Sequence, residues 1–138
     1  MYQRRLASIM RPGMLAASGL FFHQTRHFCA PKPVDNPLLA QDALPRFSQI
    51  QPSHVEPAIS YCLSEAKEKF AKLEQTLITA DKKVTYEQAV EEVERLQSPL
   101  YYSWGVVGHL MGVKNSPELR SAHDAMQPAV IEATQSVG

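Results

Sequence analysis

Apolar residues at three- and four-residue steps constrain this chain more than any other feature. Val55, Ile59, Cys62, Leu63, Ala66, Phe70, Leu73 and Leu77 fall on one stripe of a helix, because 3.6 residues per turn bring positions three and four apart to the same face. Ser53 and Glu56 read as a capping box at its start, with the Ser hydroxyl and the Glu carboxylate each satisfying an orphan amide donor. Pro57 falls in the first turn, where its missing donor costs little. Glu65 with Lys69 and Glu68 with Lys72 are four-residue pairs in the favourable order, so the charged positions read as a solvated face.

Two further helices are expected. Thr85 and Gln88 form a second capping box after a loop of Asp81, Lys82 and Lys83, and Ala89, Val90, Val93 and Leu96 make the apolar stripe that follows. Pro99 is expected to kink or end this helix, since it removes a backbone donor. The helical spacing resumes through Leu100, Tyr101, Trp104, Val107, Leu110 and Met111. Gly105, Gly108 and Gly112 weaken it by about 1 kcal/mol each relative to Ala. Glycines at that spacing suggest close approach by another helix. No strand precedes them, so a phosphate-binding reading is disfavoured. Asn115, Ser116, Pro117 and Glu118 read as turn, cap, first helical residue and first-turn acid of a third helix. Leu119, Ala122, Met126, Val130 and Ala133 are its apolar face, and Pro128 is expected to bend it.

The segment before the helices is different in kind. Pro31, Pro33, Pro37, Pro45 and Pro52 make residues 29–52 an extended, proline-rich strap. Leu38, Leu39, Leu44, Phe47 and Ile50 give it apolar residues that a free linker would not need, so it is expected to lie over a hydrophobic surface. Residues 1–34 carry Arg4, Arg5, Arg11, Arg26 and Lys32 and no acid. The zero net charge of the 138-residue chain is therefore a sum of a basic arm and an acidic remainder.

Arginines spaced among Leu6, Ile9, Met10, Leu15, Leu20, Phe21 and Phe22, without acids, have the composition of a mitochondrial transit peptide covering residues 1–28. Arg26, two positions before Phe28, suggests processing between Phe28 and Cys29, with the matrix as destination. Plastid or dual targeting, a secretory signal centred on Met14–Phe22, and a basic arm that is never removed are the competing readings. The nearly apolar run is too short to span a membrane, which needs roughly 20 residues. The charge balance offers no bulk attraction for nucleic acid, so neither nucleic acid nor membrane is expected as a partner. Two cysteines, Cys29 and Cys62, form neither a disulfide framework nor a four-cysteine zinc site. The one His-x-x-x-His pair, His23 and His27, falls inside the expected transit peptide, no Cys-x-x-Cys or nucleophile-elbow motif occurs, and no catalytic or metal residue is assigned. His54 reads as a capping or surface residue. Trp104, Tyr101 and Tyr102 read as packing residues.

Particular strings go further than periodicity. Asn36-Pro37-Leu38-Leu39, Leu44-Pro45-Arg46-Phe47-Ser48-Gln49-Ile50 and Pro52-Ser53-His54-Val55-Glu56-Pro57-Ala58 occur in order. Ser98-Pro99, His109-Leu110 and Val113-Lys114-Asn115-Ser116-Pro117-Glu118-Leu119-Arg120 follow, with Ala122 and Pro128. This series resembles the opening of oligopeptidase A-like members of the thimet oligopeptidase / neurolysin family of zinc metallopeptidases, over residues 36–138. The resemblance implies an all-α fold, with residues 53–138 an incomplete N-terminal helical lobe that walls a peptide channel. It implies an organellar enzyme that hydrolyses short peptides with zinc held by a His-Glu-x-x-His helix, and a partner in the remainder of the peptidase fold. That motif is not in these 138 residues, so the chain alone is expected to bind no zinc and to be inactive. The alternative is a stand-alone helical interaction module or regulator that keeps the lobe without the activity.

Overall fold

The computed structural model describes residues 31–41, 43–79 and 85–136. The expected transit peptide, the processing residues Arg26, Phe28 and Cys29, and the Asp81-Lys82-Lys83 loop lie outside the described residues. Among the described residues the regular structure is entirely helical: α1 (Val55–Thr79), α2 (Tyr86–Val113) and α3 (Pro117–Gln135). α1 packs against both α2 and α3, which meet only sparsely. Trp104 of α2 stacks on His123 of α3, with ring centroids 4.5 Å apart and planes 15° apart.

The segment preceding α1 is less extended than its prolines suggest. It contains three short 3-10 turns, Pro37–Leu39, Phe47–Gln49 and Pro52–His54. Asp35 enters the first of them with φ 57, in the left-handed region that Asp and Asn adopt more readily than other side chains. Its apolar residues divide sharply. Leu38 is 0% exposed and Ile50 is buried, whereas Leu44 is 88% exposed and Phe47 also lies at the surface.

Leu38 joins Val55, Ala58, Ile59 and Cys62 of α1 with Leu100, Val106, Val107 and Leu110 of α2 in one core, to which α3 adds Leu119, Met126 and Val130. Burying a Leu, Ile or Val side chain contributes about 1.5–3 kcal/mol. That magnitude explains why Pro99 does not end α2, although ending it is one of the two outcomes expected of that proline. The lost hydrogen bond and ring clash cost about 3 kcal/mol, while buried Leu96 and Leu100 flank the proline and three more core residues follow. Pro128 likewise lies inside an uninterrupted α3.

Two other expectations are corrected. α1 is not capped by Ser53 and Glu56. The chain is already helical at Pro52, so Gln51, with extended backbone (φ −119°, ψ 155°), is the cap residue, and it exchanges capping hydrogen bonds with His54. The α2 glycines do not admit a neighbouring helix among the described residues. A Cβ at Gly105, Gly108 or Gly112 would meet nothing within 4 Å. They lie on the face turned away from Ser103, Val107 and Leu110, which face the core.

Replacement of Leu38 by Ala is expected to destabilise the chain by about 2–5 kcal/mol through lost burial and a residual cavity. Equilibrium urea unfolding of the two proteins, followed by circular dichroism, measures it. A loss below 1 kcal/mol would show that the turn does not hold the core together.

Candidate functional site

The polar groups converge where the Pro37–Leu39 turn enters the groove between α1 and α2. Asn36 performs two tasks there. Its Oδ1 accepts from the Leu38 N–H (3.0 Å), and its Nδ2 donates to the His54 carbonyl at the start of α1 (2.9 Å). Ser103, 0% exposed on α2, donates its hydroxyl proton to the Leu38 carbonyl (2.9 Å). Gln41 Nε2 donates to the Pro99 carbonyl (3.1 Å), and Tyr102 Oη donates to the Ala43 carbonyl (3.3 Å). Buried polar atoms in an apolar setting cost free energy unless paired. No buried side-chain nitrogen or oxygen among the described residues is left unpaired.

Cys62 sits under this junction, with its Sγ 3.8 Å from Ser103 Oγ and 3.9 Å from the Pro99 carbonyl. Burial pushes its thiol above the ordinary 9.0. A hydrogen bond from Ser103 would oppose the shift, but that hydroxyl's single proton is directed to Leu38. The thiol is therefore the donor here, and the neutral form is favoured. A raised value stabilises the fold below pH 9.0, and this contribution is lost as pH rises through the native value.

The motif residues take structural positions. Phe47 packs its ring on His109, with centroids 5.1 Å apart, and both side chains lie at the surface. His54 Nδ1 accepts from the Gln51 N–H (3.2 Å). Pro45, Pro52 and Pro99 are half-buried, Val55 is fully buried and Pro57 is exposed. Asn115 is exposed in the turn before α3, and Ser116 Oγ caps that helix by accepting from the Leu119 N–H (3.1 Å). Pro117 opens the helix and the Arg120 N–H closes the first backbone bond onto the Ser116 carbonyl (3.0 Å). Glu118 is held below its ordinary 4.5, first by its own backbone N–H and then by the Ser116 hydroxyl. The structure thus gathers Asn36, Leu38, His54, Cys62, Pro99 and Ser103 at one junction. Phe47 with His109, and Asn115 to Arg120, form separate groups.

A cavity of about 760 Å³ opens between the starts of α1 and α3, with Ser53, Glu56, Glu118 and Ser121 as its polar groups. No histidine lines it, and a carboxylate with a lowered pKa is a poor general base. The zinc implied by the family resemblance does not fit these residues. Among the described residues no three His, Cys, Asp or Glu side chains converge as a ligand set. Cys62 is enclosed, His54 is engaged by Gln51, and His123 lies on Trp104 with its Nδ1 3.3 Å from Asp124. No described helix is long and apolar enough to cross a membrane.

What the arrangement does is join a preceding segment to a helical pair. Residues 59–138 match the N-terminal domain of neurolysin/thimet oligopeptidase. The chain belongs to that family. It is 32% identical over 103 residues to the organellar oligopeptidase A, chloroplastic/mitochondrial, of Arabidopsis thaliana, and 34% identical over 103 residues to oligopeptidase A of Escherichia coli K12. It is also 30% identical to a probable cytosolic oligopeptidase A of Arabidopsis thaliana. Each match covers 75% of this chain but only 12%, 15% and 14% of the respective relatives. No solved structure matches it significantly.

Sequence reasoning missed the roles of Asn36, Gln41 and Ser103. Asn36 had a usable signal, since Asn before Pro favours a side-chain-capped turn. Ser103 had none, because its partner is 65 residues away.

Two measurements test the site. In the Cys29→Ser chain, alkylation of Cys62 at pH 8 is expected to be at least tenfold slower in buffer than in 6 M urea; equal rates would show the thiol to be accessible. Ser116→Ala is expected to raise the Glu118 titration midpoint toward 4.5 by NMR and to destabilise the chain by about 1 kcal/mol through loss of the cap.

Proposed function

We propose that this chain is the N-terminal portion of an organellar oligopeptidase that hydrolyses short peptides, and that it helps wall the channel through which they reach the active site. The match of residues 59–138 to the family's N-terminal domain carries the reading. The catalytic zinc centre belongs, on this reading, to the part of the enzyme that the matching segment does not cover. The chain's own contribution is a rigid wall: α1, α2 and α3 held by one core, with the turn at Leu38 fastening the preceding segment to them.

Organellar destination rests on residues 1–28 and not on identity. The Arabidopsis organellar and cytosolic relatives differ little in similarity to this chain, at 32% and 30%. The acid-free, arginine-bearing segment supports import into the mitochondrial matrix and removal after Phe28.

Import of the radiolabelled chain into isolated mitochondria is expected to give a protease-protected product whose first residue is Cys29, and Arg26→Ala is expected to abolish that cleavage. The purified chain, supplied with zinc and a quenched-fluorescent nonapeptide, is expected to hydrolyse no more than buffer. Chelator-sensitive turnover by this chain alone would overturn the division of labour. A chain left unprocessed outside the organelle would overturn the destination.

A further inference from the structure

α2 and α3 meet only sparsely, so few contacts hold one against the other. At one of them the indole of Trp104 and the imidazole of His123 stack, with centroids 4.5 Å apart and planes 15° apart. The imidazole thus lies over an aromatic face, inside the distance of roughly 6 Å at which a cation is attracted to such a ring, and Trp is the strongest of the three acceptors. Imidazole is also the side chain whose charge ordinarily changes between about pH 5 and 8. The His123 side chain is only 18% exposed, so salt and water screen an attraction at this position little.

We propose that this stack is a proton-sensitive latch: protonation of His123 turns a neutral ring pair into a cation held on the indole face and tightens α3 against α2. Asp124 is the rival source of added attraction. Its carboxylate lies 3.3 Å from His123 Nδ1 but is 72% exposed, and a pair with one partner in water contributes little. The near-parallel indole is therefore the partner that responds most to the new charge. Among the other groups around α3, α1 brings Val55, Ala58, Ile59 and the neutral Cys62 thiol to the shared core, and its Ser60 hydroxyl lies 3.9 Å from Met126 Sδ. Arg120, one turn earlier on α3, is exposed, His54 of the Pro52–His54 turn is engaged by Gln51, and Glu56 and Glu118 line the cavity at the helix starts. The added grip is present in acid and is lost as pH rises through the range in which the imidazole releases its proton. Ser121, Ala122 and Ala125 of α3 form one side of that cavity, so the latch sets how firmly the wall they make is held. The latch needs only α2 and α3 and is independent of the family role proposed above.

The test is hydrogen exchange of the full chain, read as protection of the α3 amides relative to their intrinsic rates at each pH. Wild-type protection is expected to be about two- to fivefold higher at pH 5.5 than at pH 8, with Trp104, the only tryptophan of the chain, losing fluorescence over the same range. His123→Gln and Trp104→Leu are each expected to abolish the difference in protection. His109→Gln, which removes the surface imidazole against Phe47, and Asp124→Asn are expected to keep it. Trp104→Phe, which retains a ring to pack but attracts a cation less, is expected to reduce the difference without abolishing it, and it stands in for Trp104→Leu if that variant loses its helical circular dichroism. Equal wild-type protection at the two pH values, or a difference that survives His123→Gln, overturns the latch. A difference that Asp124→Asn abolishes and the Trp104 variants leave unchanged assigns it to the ion pair and overturns the role of the indole.

Discussion

Leu38 is the contact on which the described fold depends. It is a single side chain on a three-residue turn, yet it is fully buried between the two longest helices. Its backbone is held on both sides, the N–H by Asn36 and the carbonyl by Ser103. Asn36 then reaches the carbonyl of His54, so the same few atoms set where α1 begins and how α2 lies against it. Removing any one of these partners would leave a buried polar group unpaired, which costs more than the bond itself contributes.

Around that junction the helices tolerate local penalties. Pro99 and Pro128 sit inside helices, and three glycines lie on an outer face with open space beyond them. Each is unfavourable by helix propensity, at about 1 kcal/mol for a glycine and about 3 for a proline. Tertiary burial on the opposite face is larger and decides the outcome. The Pro99 carbonyl, moreover, receives Gln41 from the preceding segment, so the site of the disfavoured residue also serves as an anchor.

Burial is distributed unevenly. The first half of α1 is enclosed, while Leu77 and Ile78 at its far end, Tyr86 at the start of α2 and Ile131 on α3 remain exposed. A chain of this size holds only a modest core, because small domains bury a smaller fraction of their surface. The chain's match spans 12–15% of the length of these relatives.

The existence of the three helices was legible in the sequence because it follows from local rules. Apolar spacing marked the helical segments, paired charges Glu65–Lys69 and Glu68–Lys72 formed as read, and Ser116-Pro117 capped α3 where expected. Family membership was legible too, from strings in order along the chain. The start of α1 was misread because Pro52, Ser53 and His54 form a 3-10 turn ahead of it, moving the cap to Gln51. The fate of Pro99, the outward face of the glycines and the split between buried Leu38 and exposed Leu44 were not legible. Each depends on groups far apart in sequence, such as Leu38 and Ser103 or Gln41 and Pro99. The sequence by itself determined where helices form, because their periodicity and caps act within a few residues. Only the tertiary structure decided which faces are covered and which stay open, because burial is a property of what another segment brings to a surface.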